Sequence, residues 1–224
     1  MKKNILLIDV ESIGIEKPQV YDIGWAITDK KGRIKKTQSF IIQETFNNRE
    51  LMNTAYYANK LPLYYEKLNN GEIKIKKFYD VRQALLSDIT EYGVNTMSAY
   101  NLGFDSRALD YTMKTLTNGK FKKFFPKAVQ EKLDMVCVWS MACQVLFIQK
   151  TYKKIATRNG WVSEKGNFRT NAEVAYRYIT GKHNFIEEHT GLADVLIENE
   201  IMAKCYRQNK KFEKFHKNPW RLAQ

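Results

Sequence analysis

Four acids and one histidine, in three short motifs, carry most of this chain's chemical potential. Asp9 and Glu11 stand in Ile8-Asp9-Val10-Glu11-Ser12. Asp105 ends Tyr100-Asn101-Leu102-Gly103-Phe104-Asp105. His189 and Asp194 bracket His189-Thr190-Gly191-Leu192-Ala193-Asp194. Carboxylates are hard oxygen ligands for Mg²⁺, and an imidazole of ordinary pKa can take a proton from water at neutral pH. Together these groups suit the metal-assisted hydrolysis of a phosphodiester, provided that the fold brings them to one place.

Each motif also has an ordinary structural explanation. Asp9 and Glu11 close an apolar run, and a strand end that reaches solvent commonly carries acids. On a strand, the two side chains share one face and Val10 turns to the other, toward the core. Asp105 stands where a strand gives way to a helix, so it could serve only to complement the helix dipole. On one continuous helix His189 and Asp194 would lie about 140° apart. Their spacing instead fits a loop histidine placed just before a helix that carries Asp194 in its opening turns. His189 could equally be a solvated surface group, and Glu187 and Glu188 beside it read as exposed acids.

Taken in order, Asp-x-Glu, Asn-x-x-Phe-Asp and His-x-x-x-x-Asp resemble the DEDDh 3′–5′ exonucleases. That family includes the proofreading subunit of bacterial replicative DNA polymerase, ribonuclease T and oligoribonuclease. The resemblance runs from Asn4 to about Ile201. It includes Asn171-Ala172-Glu173-Val174-Ala175-Tyr176-Arg177-Tyr178 and then Glu188-His189, ahead of the third motif. It implies a ribonuclease H-like fold and two Mg²⁺ or Mn²⁺ ions. Asp9 would be shared by both ions, Glu11 and Asp194 would serve one, and Asp105 the other. His189 would be the general base, and the product a nucleoside 5′-monophosphate released from a 3′ end. The resemblance also places Ser12, Ile13, Asn101 and Phe104 against the nucleic acid and gives Leu109 a packing role. Two departures stand out. Tyr100 replaces a histidine that many members carry, and Ser12-Ile13 stands where threonine and glycine are common.

The elements that must position these groups follow from hydrophobic pattern. Asn4–Glu11, Tyr21–Thr28 and Arg33–Ile42 read as an N-terminal antiparallel meander. Helical stretches follow around Asn48–Lys60 and Val81–Tyr92. Thr96–Tyr100 is β-like and Ser106–Leu116 helical. Lys132–Met135 reads as a strand and Val138–Ile148 as an apolar helix. Residues 151–168 read as a loop or insertion. Thr170-Asn171-Ala172-Glu173 has capping-box spacing and opens a helix that ends at Gly181, and Thr190 caps a last helix reaching about Asn209. Strands followed by mixed helices and strands point to an α/β fold with a mixed central sheet flanked by helices.

The chain has 224 residues, 44% of them hydrophobic, which suits a single domain with a possible insertion at 151–168 and a basic tail from about 209. The net charge of +13 favours a polyanionic partner. Cys137, Cys143 and Cys205 have no metal-site spacing and read as thiols of a reducing compartment. The apolar run that follows Met1-Lys2-Lys3 stops at Asp9, too short for a leader peptide. No stretch reaches membrane-spanning length. A cytoplasmic location is expected.

Three segments add basic charge. Phe121-Lys122-Lys123-Phe124-Phe125-Pro126-Lys127 interleaves lysines with rings that could stack on bases or be buried. Lys150, Lys153, Lys154 and Arg158 form a second run, and Lys204, Arg207, Lys210, Lys211, Lys214 and Lys217 a third. Tyr56, Tyr57, Tyr64 and Tyr65 read as packing residues. The expected partner is a single-stranded nucleic acid, DNA ahead of RNA. The alternatives are an exoribonuclease, a non-catalytic nucleic-acid-binding module, and a subunit that docks on a polymerase or other replication partner through the C-terminal lysines and Trp220.

Overall fold

The computed structural model describes residues 4–224. Met1 to Lys3, the start of the stretch compared above with a leader, lie outside the described residues. Strands β1 (Asn4–Ser12), β2 (Val20–Thr28) and β3 (Lys36–Ile42) form the expected antiparallel meander. Helices α1 (Gln43–Phe46), α2 (Arg49–Asn53) and α3 (Leu61–Asn69) then lead to the edge strand β4 (Lys74–Lys76), parallel to β3. Next come α4 (Phe78–Glu91), β5 (Val94–Ala99), α5 (Leu102–Leu116), α6 (Lys127–Gln130) and β6 (Asp134–Cys137). β5 runs parallel to β1, and β6 parallel to β5. The regular elements that follow are helical, with an isolated antiparallel bridge between Val162 and Phe168. α7 (Val138–Ala142) widens into a π-helical turn over Cys143–Phe147, followed by α8 (Lys150–Arg158), α9 (Ala172–Thr180) and α10 (Gly191–Arg207). The sheet order is β4-β3-β2-β1-β5-β6.

The central strand β1 explains the layering. Ile5 and Leu7 pack into an apolar cluster with Val138, Met141, Val195 and Ile201, on the side of α7 and α10. Leu6, Ile8 and Val10 pack oppositely, with Leu85, Leu102 and Leu109 of α4 and α5. A strand buried on both faces reads as a continuous apolar run, as β1 does. Val10 and Leu109 thus take their expected packing roles.

Several local expectations need correction. The stretch 48–60 is not one helix. α2 ends after one turn and a 3₁₀ turn at Ala58–Lys60 leads into α3, which carries Pro62 in its first turn. Residues 151–168 are not all loop. Tyr152 and Ala156 bury one face of α8 while Lys150, Lys154 and Arg158 face water, and Gly160, at φ +67°, follows the end of the helix. Only a narrow apolar stripe marks that helix among lysines, so the pattern is easily missed. Thr170 does not cap α9; Asn171 holds that position, and Thr170 instead accepts from the Trp139 indole and the Tyr100 hydroxyl. Thr190 does precede α10, but its hydroxyl donates to Glu188 at 2.7 Å rather than capping the helix.

Phe124 and Phe125 are buried, while Phe121 is half exposed. The basic tail is packed. The Lys214 carbonyl accepts from the Cys137 amide, and the His216 amide donates to Ser140 Oγ. The three cysteines are free and buried. Among the described residues no helix is long and apolar enough to cross a membrane.

Candidate functional site

The pairing of β1 with β5 stops at Leu7–Ser98, so beyond that register β1 is held only by β2. The other motifs arrive on this open side. Asp9 and Glu11 continue the face of Ile5 and Leu7. After β5 the chain turns into α5, and Asp105 in its first turn accepts the Val10 backbone N–H at 3.3 Å. The side chain that could have been a helix-end acid is thereby tied to the strand between the first two carboxylates.

The third motif is seated by two glycines. A Cβ on Gly24 of β2 would lie 2.2 Å from the Gly191 carbonyl carbon, so only a backbone-to-backbone approach fits there. The Gly191 N–H donates to Asp22 Oδ2 at 2.8 Å, and the Tyr64 hydroxyl donates to the same oxygen at 2.9 Å. This contact fixes the start of α10 over the sheet, which places Asp194 in its first turn beside the acids of β1.

His189 sits just before that helix with φ +58°. A non-glycine residue there costs of order 1–3 kcal/mol, so its surroundings must impose it. Three contacts do so. Lys60 Nζ donates to the Glu188 carbonyl at 2.7 Å, and the Tyr64 hydroxyl to the His189 carbonyl at 3.3 Å. The Tyr57 ring stacks on the imidazole, with centroids 4.4 Å apart and planes inclined by 16°.

Glu11, His189 and Asp194 consequently offer ligand atoms all within 4.8 Å of one another. His189 Nδ1 lies 3.9 Å from Asp194 Oδ2 and 4.0 Å from Glu187 Oε2. Asp9 and Asp105 line the same open cleft, of about 510 Å³, as do Asn101, Phe104 and Glu198. Asn101 is exposed at the cleft, and Phe104 is half-buried with the Arg107 guanidinium 5.4 Å from its ring centroid. Ser12 and Ile13 are placed otherwise. The Ser12 hydroxyl turns back to the Gly14 carbonyl, and Ile13 packs with Tyr21, Phe46 and Tyr64 away from the cleft.

Concentrated buried acids disfavour their own ionisation. Burial, then repulsion from Glu198, Asp105, Asp194 and Glu11, holds Asp9 well above the usual carboxylate range. Burial raises Glu11 as well, with Asp22 and Glu187 adding to it. Burial pushes Asp105 up to about 7 against the opposing Val10 hydrogen bond. Asp194 rises to about 9 through burial and then Glu187 and Glu11. Burial and the Lys60 cation lower His189, which favours the neutral imidazole. Asp9 Oδ2, Asp194 Oδ1 and Glu198 Oε2 are buried with no hydrogen-bond partner among the described residues. Orphaned, mutually repelling hard oxygens are what divalent cations satisfy, so this donor set fits Mg²⁺ or Mn²⁺.

Several residues of the site were not anticipated. Glu187 is 8% exposed rather than a surface acid, with its amide hydrogen-bonded to Glu173 and burial pushing its carboxyl up to about 7. Tyr57 was expected only to pack, yet it covers the imidazole. Nothing in its spacing signals that role. Glu198 did have a signal, since four residues beyond Asp194 it shares that residue's helix face.

No family model matches the chain, and no curated protein matches it. Solved structures do match. Exonuclease I of E. coli in complex with a dA16 oligonucleotide is similar at TM-score 0.52 and 14% identity, over 89% of this chain and 40% of that one. The zinc-ion-bound form of the E. coli exonuclease I–ssDNA complex is similar at 0.53 and 14%, over 94% and 41%. A moderately thermophilic exonuclease I from Methylocaldum szegediense is similar at 0.54 and 12%, over 93% and 41%. This chain spans about two fifths of the length of these proteins. At such identities the likeness is one of fold, and that fold is the ribonuclease H-like arrangement of a mixed sheet flanked by helices.

Proposed function

We propose that this chain is a divalent-metal-dependent 3′–5′ exonuclease acting on single-stranded ends, DNA before RNA, as a single exonuclease domain. One observation carries the reading. Three motifs far apart in sequence converge, with Glu11, His189 and Asp194 within 4.8 Å beside Asp9 and Asp105, in an open cleft. The fold supports it, since similar structures are exonuclease I bound to single-stranded oligonucleotides, one of them carrying zinc.

Asp9, Glu11, Asp105 and Asp194 would hold two Mg²⁺ or Mn²⁺ ions. Such ions supply Lewis-acid charge at the scissile phosphate and ease ionisation of the attacking water. The chain's own residues do the rest. His189 is held neutral and is therefore ready to accept the water proton. Its Nδ1 faces Asp194 and Glu187, which leaves Nε2 as the accepting atom. Phe104 offers a ring to the terminal base, and exposed Asn101 offers hydrogen bonds beside it. The Tyr57 ring keeps the imidazole from rotating away.

The test uses single-stranded DNA and RNA oligonucleotides labelled at the 3′ or the 5′ end, with Mg²⁺ or with EDTA. Mg²⁺-dependent shortening from the 3′ end, releasing 5′-mononucleotides, is expected, faster on DNA. Internal cuts, shortening from the 5′ end or a mere gel shift would each exclude it.

A further inference from the structure

Glu198 lies in the middle of α10, where neighbouring positions hold Val195, Ile197, Ile201 and Met202, all buried. Its side chain is 2% exposed. A buried carboxylate normally has a cationic or hydrogen-bonding partner, because isolated burial is costly. Glu198 Oε2 has no hydrogen-bond partner among the described residues. The acids that share its cleft include Asp9, Asp105, Asp194 and Glu187, and among the described residues no lysine or arginine lines it.

The same helix shows that buried polar groups here are otherwise satisfied. Asn199, the next residue, accepts from the Thr28 hydroxyl at 2.8 Å and donates to the Gly32 carbonyl at 2.9 Å. On α10 the buried orphans are Asp194 Oδ1 and Glu198 Oε2, and both residues line the cleft. They lie one helical turn apart on one face. Asp9 Oδ2, also orphaned, lines the same cleft.

Glu198 lines the cleft without belonging to its tightest group of donors. The cluster within 4.8 Å comprises Glu11, His189 and Asp194 and excludes both Asp9 and Glu198.

We infer that Glu198 is a fifth carboxylate of the metal centre, serving a cation together with Asp9 and Asp194, whose orphaned oxygens line the same cleft. The inference rests on the metal-dependent reading above and extends it, since the three-motif resemblance assigns no role to this position. The extra negative charge selects for a small, hard divalent ion and strengthens its retention between turnovers. A leucine would fill the same space without orphaned oxygens, and a cation before the glutamate would satisfy them.

The test measures Mn²⁺ binding to the full chain by titration calorimetry and by electron paramagnetic resonance of the free ion, without nucleic acid. Wild type should bind two ions. Glu198→Gln, nearly isosteric, should keep one site and weaken the other about 10- to 100-fold. In EDTA the variant should melt no lower than wild type, because the neutral amide replaces a buried acid that folding must keep protonated. Unchanged affinities at both sites in the folded variant would overturn the role of Glu198 and leave the nuclease reading standing. A variant that no longer folds in EDTA would overturn it too, by showing a structural role. A wild type that binds no Mn²⁺ would sink both inferences together.

Discussion

At the scale of single residues, the site is a contest between burial and charge, and His189 shows its outcome most directly. Burial and Lys60 both lower its pKa, which suits the imidazole to the proton-accepting role proposed for it. If it is the general base proposed above, removing it takes away a contribution worth typically 10²- to 10⁴-fold. His189→Ala should lower kcat on a single-stranded oligonucleotide by about that factor, with the melting temperature in EDTA little changed. A rate near wild type would remove the assignment. Tyr57 is the subtler case. Its ring covers a histidine that remains 28% exposed in its side chain. Tyr57→Ala should admit water, return the imidazole toward its ordinary pKa, and so move the acidic limb of the pH–rate profile upward. Loss of the stack should also reduce kcat by about 10-fold, since the base would no longer be held in one orientation. A smaller kcat with an unmoved acidic limb would leave Tyr57 a packing residue, as its sequence context suggests.

At the scale of elements, the site depends on how closely α10 approaches β2. Gly24 and Gly191 meet backbone to backbone, with 2.2 Å left for an added Cβ. Gly24→Ala must therefore push the first turn of α10 outward, carrying His189 and Asp194 away from Glu11. Overpacking of this kind costs typically 1–3 kcal/mol. The expected result is a lower melting temperature together with at least a 10²-fold loss of activity, larger than stability alone explains, because a displacement near 1 Å can cost that much. Gly14→Ala is the control, since a Cβ there meets nothing within 4 Å.

This scale also shows what sequence could and could not reveal. Strand β1 was legible because burial on both faces writes a continuous apolar run, and alternation then placed Asp9 and Glu11 together. The α10 motif was legible because five residues is the wrong interval for one helix face but right for a loop followed by a helix. The seat of α10 was not legible, because nothing marks which two glycines will touch across the fold. α8 was missed because its buried stripe is narrow among lysines. Tyr57 was missed because its role depends on a tertiary contact with a residue 132 positions away.

At the scale of the whole molecule, a chain of net charge +13 encloses an acidic cleft, and the two fields do opposite things to a nucleic acid. Under the proposed function the basic exterior would attract the strand, whereas a cation-free cleft would repel the phosphate entering it. Divalent ions reconcile them, and the same logic makes the fold depend on pH. Asp22, Asp105 and Asp194 are raised to about 6, about 7 and about 9, so each binds its proton more tightly folded than unfolded. Their contribution to stability is fully present below the unfolded carboxylate pKa near 4 and is lost as pH rises through those values. His189 is shifted downward and works the other way, costing stability only below about pH 6.5. Between pH 6.5 and about 8, then, the acids alone set the slope, and above that the buried Cys143 and Cys205 thiols, raised to about 12, add to it in the same direction. In EDTA the melting temperature should fall steadily across that window. Asp194→Asn, which cannot ionise, should fall less steeply. Saturating Mg²⁺ should raise the wild-type melting temperature most at the alkaline end, where the carboxylates are already free of protons and cation binding no longer competes with them. A melting curve flat with pH in EDTA, or a Mg²⁺ effect equal at both ends, would mean that the buried acids are not the charged cluster their positions imply.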